Sequence, residues 1–165
     1  MTMQTDASSK DEAIVVFTRT FNAPRNVVWD VLTDPKHVVN WYGGVGFSSP
    51  VCKMDVRPGG RWSHVMRTPD GSEFPLEFIF VEVEKPKRLV WKDAGYDEAP
   101  KPHAPTRMMT ATLEEDGKRT KWTLVARFHT IEERDETMKR GFANVLGEGC
   151  DKLDEIAMKV AENAA

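Results

Sequence analysis

Side chains alternate in character along residues 13–21 of the sequence. Val15 and Phe17 fall on one side of an extended chain, and Val16 and Thr18 fall on the other. Successive side chains of a strand point to opposite faces, and β-branched residues are enriched in strands. The pattern therefore predicts a first β-strand here.

Two short helices are predicted to follow this strand. Pro24 stands in the first turn of one helix, where its missing N–H removes no hydrogen bond. An apolar face is formed by Val27, Val28, Val31 and Leu32, with Trp29 beside it. Asp34 ends this helix and caps a second one, because Pro35 after it suits a first helical position.

Turn-forming residues recur at regular intervals from Val45 onward. They cluster at residues 57–60, 68–71, 84–87 and 115–118, where Pro, Gly and Asp predominate. Short segments rich in β-formers between such turns are typical of an antiparallel meander. The predicted strands span residues 47–56, 61–67, 74–83, 88–92, 106–114 and 120–129.

Residues 93–105 predict a long loop, because Gly95 and prolines 100, 102 and 105 prevent a strand from continuing. Long loops serve as lids over binding sites or run passively over the surface. Both interpretations stay open at this point. The passive loop is favoured, since a long surface loop costs little free energy.

A long C-terminal helix is predicted to begin after Thr130. The Thr130 hydroxyl and Glu133 have the spacing of a capping box, in which the carboxylate also reaches back to the cap. About thirty residues would make a helix roughly 45 Å long. Its apolar stripe consists of Met138, Phe142, Val145, Leu146, Gly149, Leu153, Ile156, Ala157 and Val160.

Three glycines, Gly141, Gly147 and Gly149, fall inside this predicted helix. Each costs about 1 kcal/mol relative to alanine. The loss is offset if the missing side chains let the sheet approach closely, or if they leave space for a ligand. A third interpretation is a kink or a division into two helices around Gly147 and Gly149.

The 165 residues contain 40% hydrophobic and 30% charged side chains, as ordinary globular domains do. This length predicts one domain over residues 13–163, preceded by a flexible polar tail over residues 1–12. The formal net charge of -3 leaves no broad cationic surface, so we expect no nucleic-acid partner.

The sequence predicts a cytoplasmic location. No stretch approaches the roughly 20 apolar residues of a membrane span, and residues 1–12 lack the apolar core of a signal peptide. Cys52 and Cys150 are far apart and form no CxxC pair. We therefore expect buried free thiols in a reducing compartment.

No cofactor or metal is expected. His37, His103 and His129 are widely spaced and form neither an HxxxH nor an HExxH pattern. The sequence also contains no GxGxxG and no GxxxxGK[ST] motif, and the glycines at 43, 44 and 46 indicate only a turn.

Several motifs, in a fixed order, carry a resemblance to a known family. They are Phe21-x-Ala23-Pro24 leading to Val28-Trp29, Thr33-Asp34-Pro35 followed by Trp41-Tyr42-Gly43, Asp55-x-Arg57-Pro58-Gly59-Gly60-x-Trp62, Met66-x-x-Pro69-Asp70-Gly71, Glu82-Val83-x-x-Pro86-x-Arg88-Leu89-Val90 and Gly141-Phe142-x-x-x-Leu146. Over residues 15–153 the chain resembles the START-like (SRPBCC, birch-pollen-allergen-like) superfamily. Within it, the chain is similar to the activator of heat-shock-protein-90 ATPase homologues.

This resemblance implies an α+β helix-grip fold: a curved antiparallel sheet, two short helices, and a long C-terminal helix over an apolar cavity. Relatives bind lipids, hormones or polyketides there, and some catalyse cyclisation, so the fold does not choose the ligand. Tyr42 and Phe142 stand where tryptophan is common. Phe78 replaces a common glycine, which implies a smaller cavity. The eukaryotic activators carry a separate chaperone-binding domain that this sequence does not show, which counts against a chaperone role.

Alternation also predicts which side chains face the cavity. On the strand over residues 61–67, Trp62, His64 and Met66 share one face. An aromatic and methionine lining suits a flat or apolar ligand, whereas the alternative is a solid core built from the same side chains. The candidate cavity residues are Trp41, Trp62, His64, Met66, Phe78, Phe80, Trp91, Leu124, Phe128, Phe142 and Leu146.

His64 is the one weak candidate for catalysis, because an imidazole beside a ligand can move a proton near neutral pH. The alternative is a hydrogen-bonded histidine at the pocket edge.

Three functions stay open: binding a small apolar or amphipathic ligand, cyclase- or dehydratase-like catalysis, and stimulation of a chaperone ATPase by protein contact. Ligand binding is favoured, since no nucleophile motif is present. We expect a monomer or a homodimer.

Overall fold

The computed structural model describes residues 4–6, 12–98 and 106–164, with backbone pairing alone for residues 4–6. The fold belongs to the α+β class. The elements are β1 Gln4–Asp6, β2 Ile14–Phe21, α1 Arg25–Thr33, α2 Pro35–Trp41, β3 Ser48–Met54, β4 Arg61–Arg67, β5 Glu73–Glu84, β6 Arg88–Asp93, β7 Met108–Asp116, β8 Arg119–Arg127, α3 Ile131–Lys139 and α4 Phe142–Asn163.

The strands form one antiparallel sheet in the order β1-β2-β8-β7-β6-β5-β4-β3. The predicted meander over β3 to β8 is confirmed, with each strand end within two residues of its predicted position. Residues 4–6, which fall within the predicted flexible tail, form the short strand β1. Those residues pair with the edge of β2 opposite Val16 and Thr18, because an unpaired strand edge leaves backbone groups free to bond.

One face of the sheet is buried, and the alternation of side chains determines which residues lie on it. On β4, Trp62 and His64 are buried, while Ser63 and Val65 are less so. The same pattern buries Val15 and Phe17 on β2. The helices lie over this inner face, so the helix-grip arrangement expected from the sequence is confirmed.

The two short helices begin where the sequence predicts. Pro24 is the N-cap of α1, and Asp34 is the N-cap of α2 with Pro35 in its first turn. The Asp34 carboxylate accepts a hydrogen bond from the Lys36 backbone N–H at 3.1 Å. Because this bond satisfies a donor that the helix itself leaves unpaired, it fixes the start of α2.

The predicted long C-terminal helix is confirmed, but it is shorter than expected, because the chain forms α3 and α4 in place of one continuous helix. Thr130 caps α3 by accepting from the Glu133 N–H at 3.1 Å, and its hydroxyl meets the Glu133 carboxylate at 3.3 Å. The break lies at Gly141, whose φ of 90° is left-handed and disfavours other residues. The remaining helix α4 has 22 residues, a length of about 33 Å.

Gly147 and Gly149 both lie within α4, so the interpretation that the helix divides there is wrong. A Cβ at Gly149 would lie 2.9 Å from the Trp41 carbonyl oxygen and 3.2 Å from that of Gly43. The close-packing interpretation therefore holds for Gly149, which lets α4 approach the end of α2. A Cβ at Gly147 would meet nothing within 4 Å, so packing does not explain that glycine.

An ion pair and two hydrogen bonds connect α4 to residues at the end of β2. The buried Arg19 of β2 forms an ion pair with Asp151 at 2.6 Å. The Asp154 carboxylate accepts from the backbone N–H and the side-chain amide of Asn22, at 2.8 and 2.9 Å. These contacts fix the position of α4 along the sheet.

The predicted loop over residues 93–105 lies partly outside the described residues. Its first part, residues 94–98, forms turns after β6, and the Asp93 carboxylate accepts from the Arg107 backbone N–H at 2.8 Å. Residues 99–105 lie outside the described part. Whether this loop covers a site or is passive stays a prediction.

Candidate functional site

A pocket of about 320 Å³ lies between the inner face of the sheet and the helices α2 and α4. Strands β4, β5, β6, β7 and β8 supply its floor. The helix α4 supplies its roof through Phe142, Leu146 and Leu153, whose spacing places them on one face. The pocket therefore lies where the helix passes over the sheet.

Most of the predicted cavity residues lie together around this pocket. Those that line it are Trp41, Trp62, Met66, Phe78, Trp91, Leu124, Phe142 and Leu146. The structure places His64, Phe80 and Phe128 outside the lining. Phe80 and Phe128 are 0% and 3% exposed and belong to the solid core on the same face of the sheet.

Aromatic rings form one wall of the pocket around Trp62. Its ring centroid lies 4.6 Å from that of Phe78, 5.6 Å from that of Tyr42 and 6.0 Å from that of Trp91. Tilted and edge-on contacts at these separations are favourable for aromatic pairs. Phe78 thus takes up space on the floor, yet the pocket remains open above it.

One end of the pocket carries polar groups. The Arg107 guanidinium lies 4.8 Å from the centroid of the Phe142 ring. Within the described residues this guanidinium has no hydrogen bond and no ion pair. Burial raises the pKa of the Asp93 carboxyl group, while the nearby Arg107 opposes that shift.

Tyr42 contributes its phenol to the same end. Burial raises the pKa of Tyr42 to about 12, and the positive charge of Arg107 acts against this shift. The phenol therefore stays protonated at neutral pH and can donate a hydrogen bond. In the described part of the chain its hydroxyl has no hydrogen-bond partner.

His64 is held in a fixed tautomer just outside the pocket lining. The Trp62 indole N–H donates to Nδ1 of His64 at 3.2 Å. Because an indole nitrogen only donates, Nδ1 must accept, and the ring proton lies on Nε2, which donates to the Ser49 hydroxyl at 2.8 Å. Burial lowers the pKa of His64 to about 4, so the ring is neutral at pH 7.

The pocket lining offers little for acid–base or nucleophilic chemistry. It contains no carboxylate and no histidine among the described residues. Burial raises the pKa of the Cys150 thiol to about 12, so this lining residue stays a thiol. The Thr137 hydroxyl, also in the lining, already donates to the Glu133 carbonyl at 2.8 Å.

The described residues contain no group of three or more His, Cys, Asp or Glu side chains placed to hold a metal ion. No described helix has the length and apolar character needed to cross a membrane. Both cysteines are free: Cys150 is buried and Cys52 is partly exposed.

The family model described as Activator of Hsp90 ATPase homolog 1-like protein matches residues 22–157. The chain belongs to this family. The match extends from the end of β2 into α4 and thus includes all the elements that surround the pocket. No curated protein matches the sequence.

Solved structures of bacterial proteins share the fold of this Activator of Hsp90 ATPase homolog 1-like chain. Protein NE0264 from Nitrosomonas europaea is 29% identical, covers 97% of this chain and 99% of its own, and has a TM-score of 0.83. A Rhodobacter sphaeroides protein is 23% identical with a TM-score of 0.83, covering 96% and 99%. An AHSA1-like protein from Aeromonas hydrophila is 17% identical with a TM-score of 0.64, covering 88% and 93%. The last two similarities concern the fold alone.

Several lining residues were not predicted from the sequence. Alternation on β7 contains a signal for one of them, because Arg107 falls in line with Met109 and the buried Ala111 and Leu113. An arginine in register with an apolar row indicates a charge that faces inward. The lining residues that were not predicted are Leu32, Tyr42, Gly43, Phe47, Leu76, Arg107, Met109, Trp122, Thr137, Arg140, Val145, Gly149, Cys150 and Leu153.

Proposed function

We propose that this protein is a binding domain that holds a small apolar or amphipathic molecule between its sheet and α4. The observation that carries the proposal is the pocket of about 320 Å³, walled mainly by aromatic, aliphatic and methionine side chains. This volume is at the lower end of the range of about 300–1,000 Å³ that is typical of small-molecule sites.

The composition of the wall favours an organic ligand over water. A buried water needs about three hydrogen-bond partners, and the walls around Trp62, Met66 and Leu124 provide few. An apolar ligand instead removes its own surface and that of the wall from water, at roughly 25 cal/mol per Å². Met66 and Met109 can adapt to its shape, since their side chains are flexible and polarizable.

Binding is better supported than cyclase- or dehydratase-like catalysis. Such catalysis needs a group that moves protons at the ligand. His64 is hydrogen-bonded outside the pocket lining, and Cys150 stays protonated because burial raises its pKa to about 12. We therefore assign His64 a structural role.

A thermal-shift screen with a library of aromatic and acyl compounds tests the proposal. A ligand present at a hundred times its dissociation constant adds about 2.7 kcal/mol of stability, which raises the melting temperature by roughly 5–10 °C. Leu146→Trp, which fills the pocket from α4, should abolish the shift. Met158→Trp adds the same ring on the exposed side of α4 and should preserve it.

An absence of stabilisation across the library would overturn the proposal. So would an equal shift in the Leu146→Trp variant, because a ligand bound elsewhere would not depend on the pocket.

The family match favours one further candidate function, contact with a chaperone ATPase. It is tested by adding the protein to the chaperone of the same organism and measuring ATP hydrolysis. Stimulation that survives in Leu146→Trp would assign this activity to the outer surface, and an unchanged rate would exclude the candidate. The free thiols of Cys52 and Cys150 fit the reducing cytoplasm in which either function would operate.

A further inference from the structure

Arg107 differs from most of the arginines that the structure describes, because its guanidinium has no ion-pair partner there. Every other described arginine, apart from the solvent-exposed Arg119, forms an ion pair with a carboxylate. Arg107 is half-buried, lines the pocket, and lies over the Phe142 ring. Its five N–H donors have no acceptor within the described residues.

Withdrawing a charge from water without a partner is unfavourable. Arg107 is partly shielded from solvent on the inner face, and the cation–π contact with Phe142 offsets only a part of the lost hydration. A hydrogen-bond acceptor on a bound ligand would replace the lost hydration of the guanidinium and would therefore bind favourably here. The guanidinium is therefore positioned for an anionic group in the pocket.

The neighbouring side chains leave Arg107 available for such a group. Asp93 is the nearby carboxylate, but its oxygen accepts the backbone N–H of Arg107 at 2.8 Å and forms no ion pair with the guanidinium. Arg140 at the rim is already paired with Glu136 at 3.3 Å. A single unpaired cation matches a monoanion better than a doubly charged phosphate.

Tyr42 adds a second donor at this end of the pocket. Its ring is fixed by contacts to Trp62 and His64, with centroids at 5.6 and 4.4 Å. Its hydroxyl is protonated at neutral pH and has no partner among the described residues. A guanidinium and a hydroxyl together suit a carboxylate, whose two oxygens accept several hydrogen bonds.

We infer that the ligand is an amphipathic monocarboxylic acid, whose carboxylate binds the Arg107 guanidinium and the Tyr42 hydroxyl while its apolar body occupies the pocket. This inference rests on the proposed function. A volume of 320 Å³ equals that of about ten liquid waters, so the body is a medium-length acyl chain or a fused pair of rings.

Calorimetric titration with two matched pairs of probes tests this inference: decanoate against decan-1-ol, and 2-naphthoate against 2-naphthylmethanol. A hydrogen bond to a charged group contributes about 1.5–3 kcal/mol, so each acid should bind roughly 10- to 150-fold more tightly than its alcohol. Arg107→Met should remove this preference and leave alcohol affinity within about threefold. Tyr42→Phe, which keeps the ring, should weaken acid binding by about 2- to 10-fold.

Arg127→Met is the matched control, because it removes the same charge from an exposed position on β8, where it pairs with Glu12. It should keep the full preference for acids. Equal affinities of the wild type for acid and alcohol would overturn the inference and leave the pocket proposal intact. A loss of preference in Arg127→Met as large as in Arg107→Met would also overturn it. Failure of all four probes to bind would overturn the proposed function itself.

Discussion

His64 shows how the surroundings of one residue decide its chemistry. Its two ring nitrogens are occupied by Trp62 and Ser49, and 1% of the residue is exposed. A second ring proton on Nδ1 would point at the indole N–H of Trp62. Two donors would then face each other and this hydrogen bond would be lost. The neutral ring is therefore the form that the fold stabilises.

The buried His64 predicts a dependence of stability on pH. Its pKa is about 4 in the folded protein and about 6.5 when unfolded, so the unfolded chain binds more protons between these values. The contribution of His64 is fully present above about pH 6.5 and is lost as the pH falls toward 4. We expect this loss to amount to roughly 1–3 kcal/mol.

Denaturant unfolding of the wild type and of His64→Gln at several pH values measures this loss. Glutamine does not titrate, so the difference in unfolding free energy between the two proteins should shrink as the pH falls from 6.5 to 4. The neighbouring Tyr42 and Cys52 stay uncharged in this window, because burial raises the pKa of each. Parallel pH profiles for the two proteins would contradict the prediction.

Alternation along a strand predicts which face of the sheet a side chain lies on, but it does not predict whether that side chain reaches the pocket. It correctly placed Trp62 and Met66 on the inner face of β4, and both line the pocket. His64 shares that face, yet it is held at the hydrogen-bonding position of Ser49 near the sheet edge. Such a position depends on the neighbouring strand β3, which alternation along β4 does not reveal.

At the scale of elements, the helix α4 contains two glycines, of which close packing requires only one. Gly149 lies against the carbonyl oxygens of Trp41 and Gly43, which are backbone atoms and cannot move aside cheaply. Gly147, half a turn away, has open space around it. The two positions share a helix and differ in what a methyl group would meet.

Alanine substitution should therefore change stability in opposite directions at these two sites. Gly147→Ala should raise the unfolding free energy by up to about 1 kcal/mol, because alanine favours helix. Gly149→Ala should lower it by about 1–3 kcal/mol, since overpacking exceeds the helix gain. Thermal unfolding should show shifts of about 2–4 °C per kcal/mol. A stabilised Gly149→Ala protein would contradict the close approach of α4 to α2.

The break between α3 and α4 was not predictable from the apolar stripe. Spacing of three and four residues continues from Met138 through Phe142, so periodicity alone indicates one helix. The break depends on the left-handed conformation of Gly141, which a sequence with three candidate glycines does not distinguish. The pairing of β1 with β2 was missed for a similar reason, since three polar residues carry no strand pattern.

At the scale of the whole molecule, the fold was predictable and the pocket was predictable only in outline. Regular turns and alternation determine a meander, and a terminal amphipathic helix must cover its apolar face. The pocket volume instead depends on local details of the structure. Two of these are the break between α3 and α4 at Gly141 and the tilted contact between the Phe78 and Trp62 rings. The charge in the pocket was missed, although Arg107 lies within the predicted strand 106–114 and in line with the apolar Met109.

Methionine methyl groups provide the most direct test that the pocket between sheet and α4 is the binding site. Met66 and Met109 line it, whereas Met158 lies on the exposed side of α4. In methyl NMR spectra of methionine-labelled protein titrated with 2-naphthoate or 2-naphthylmethanol, the Met66 and Met109 signals should shift along one binding curve while Met158 stays in place. Unchanged Met66 and Met109 signals, or a shift confined to Met158, would contradict the account.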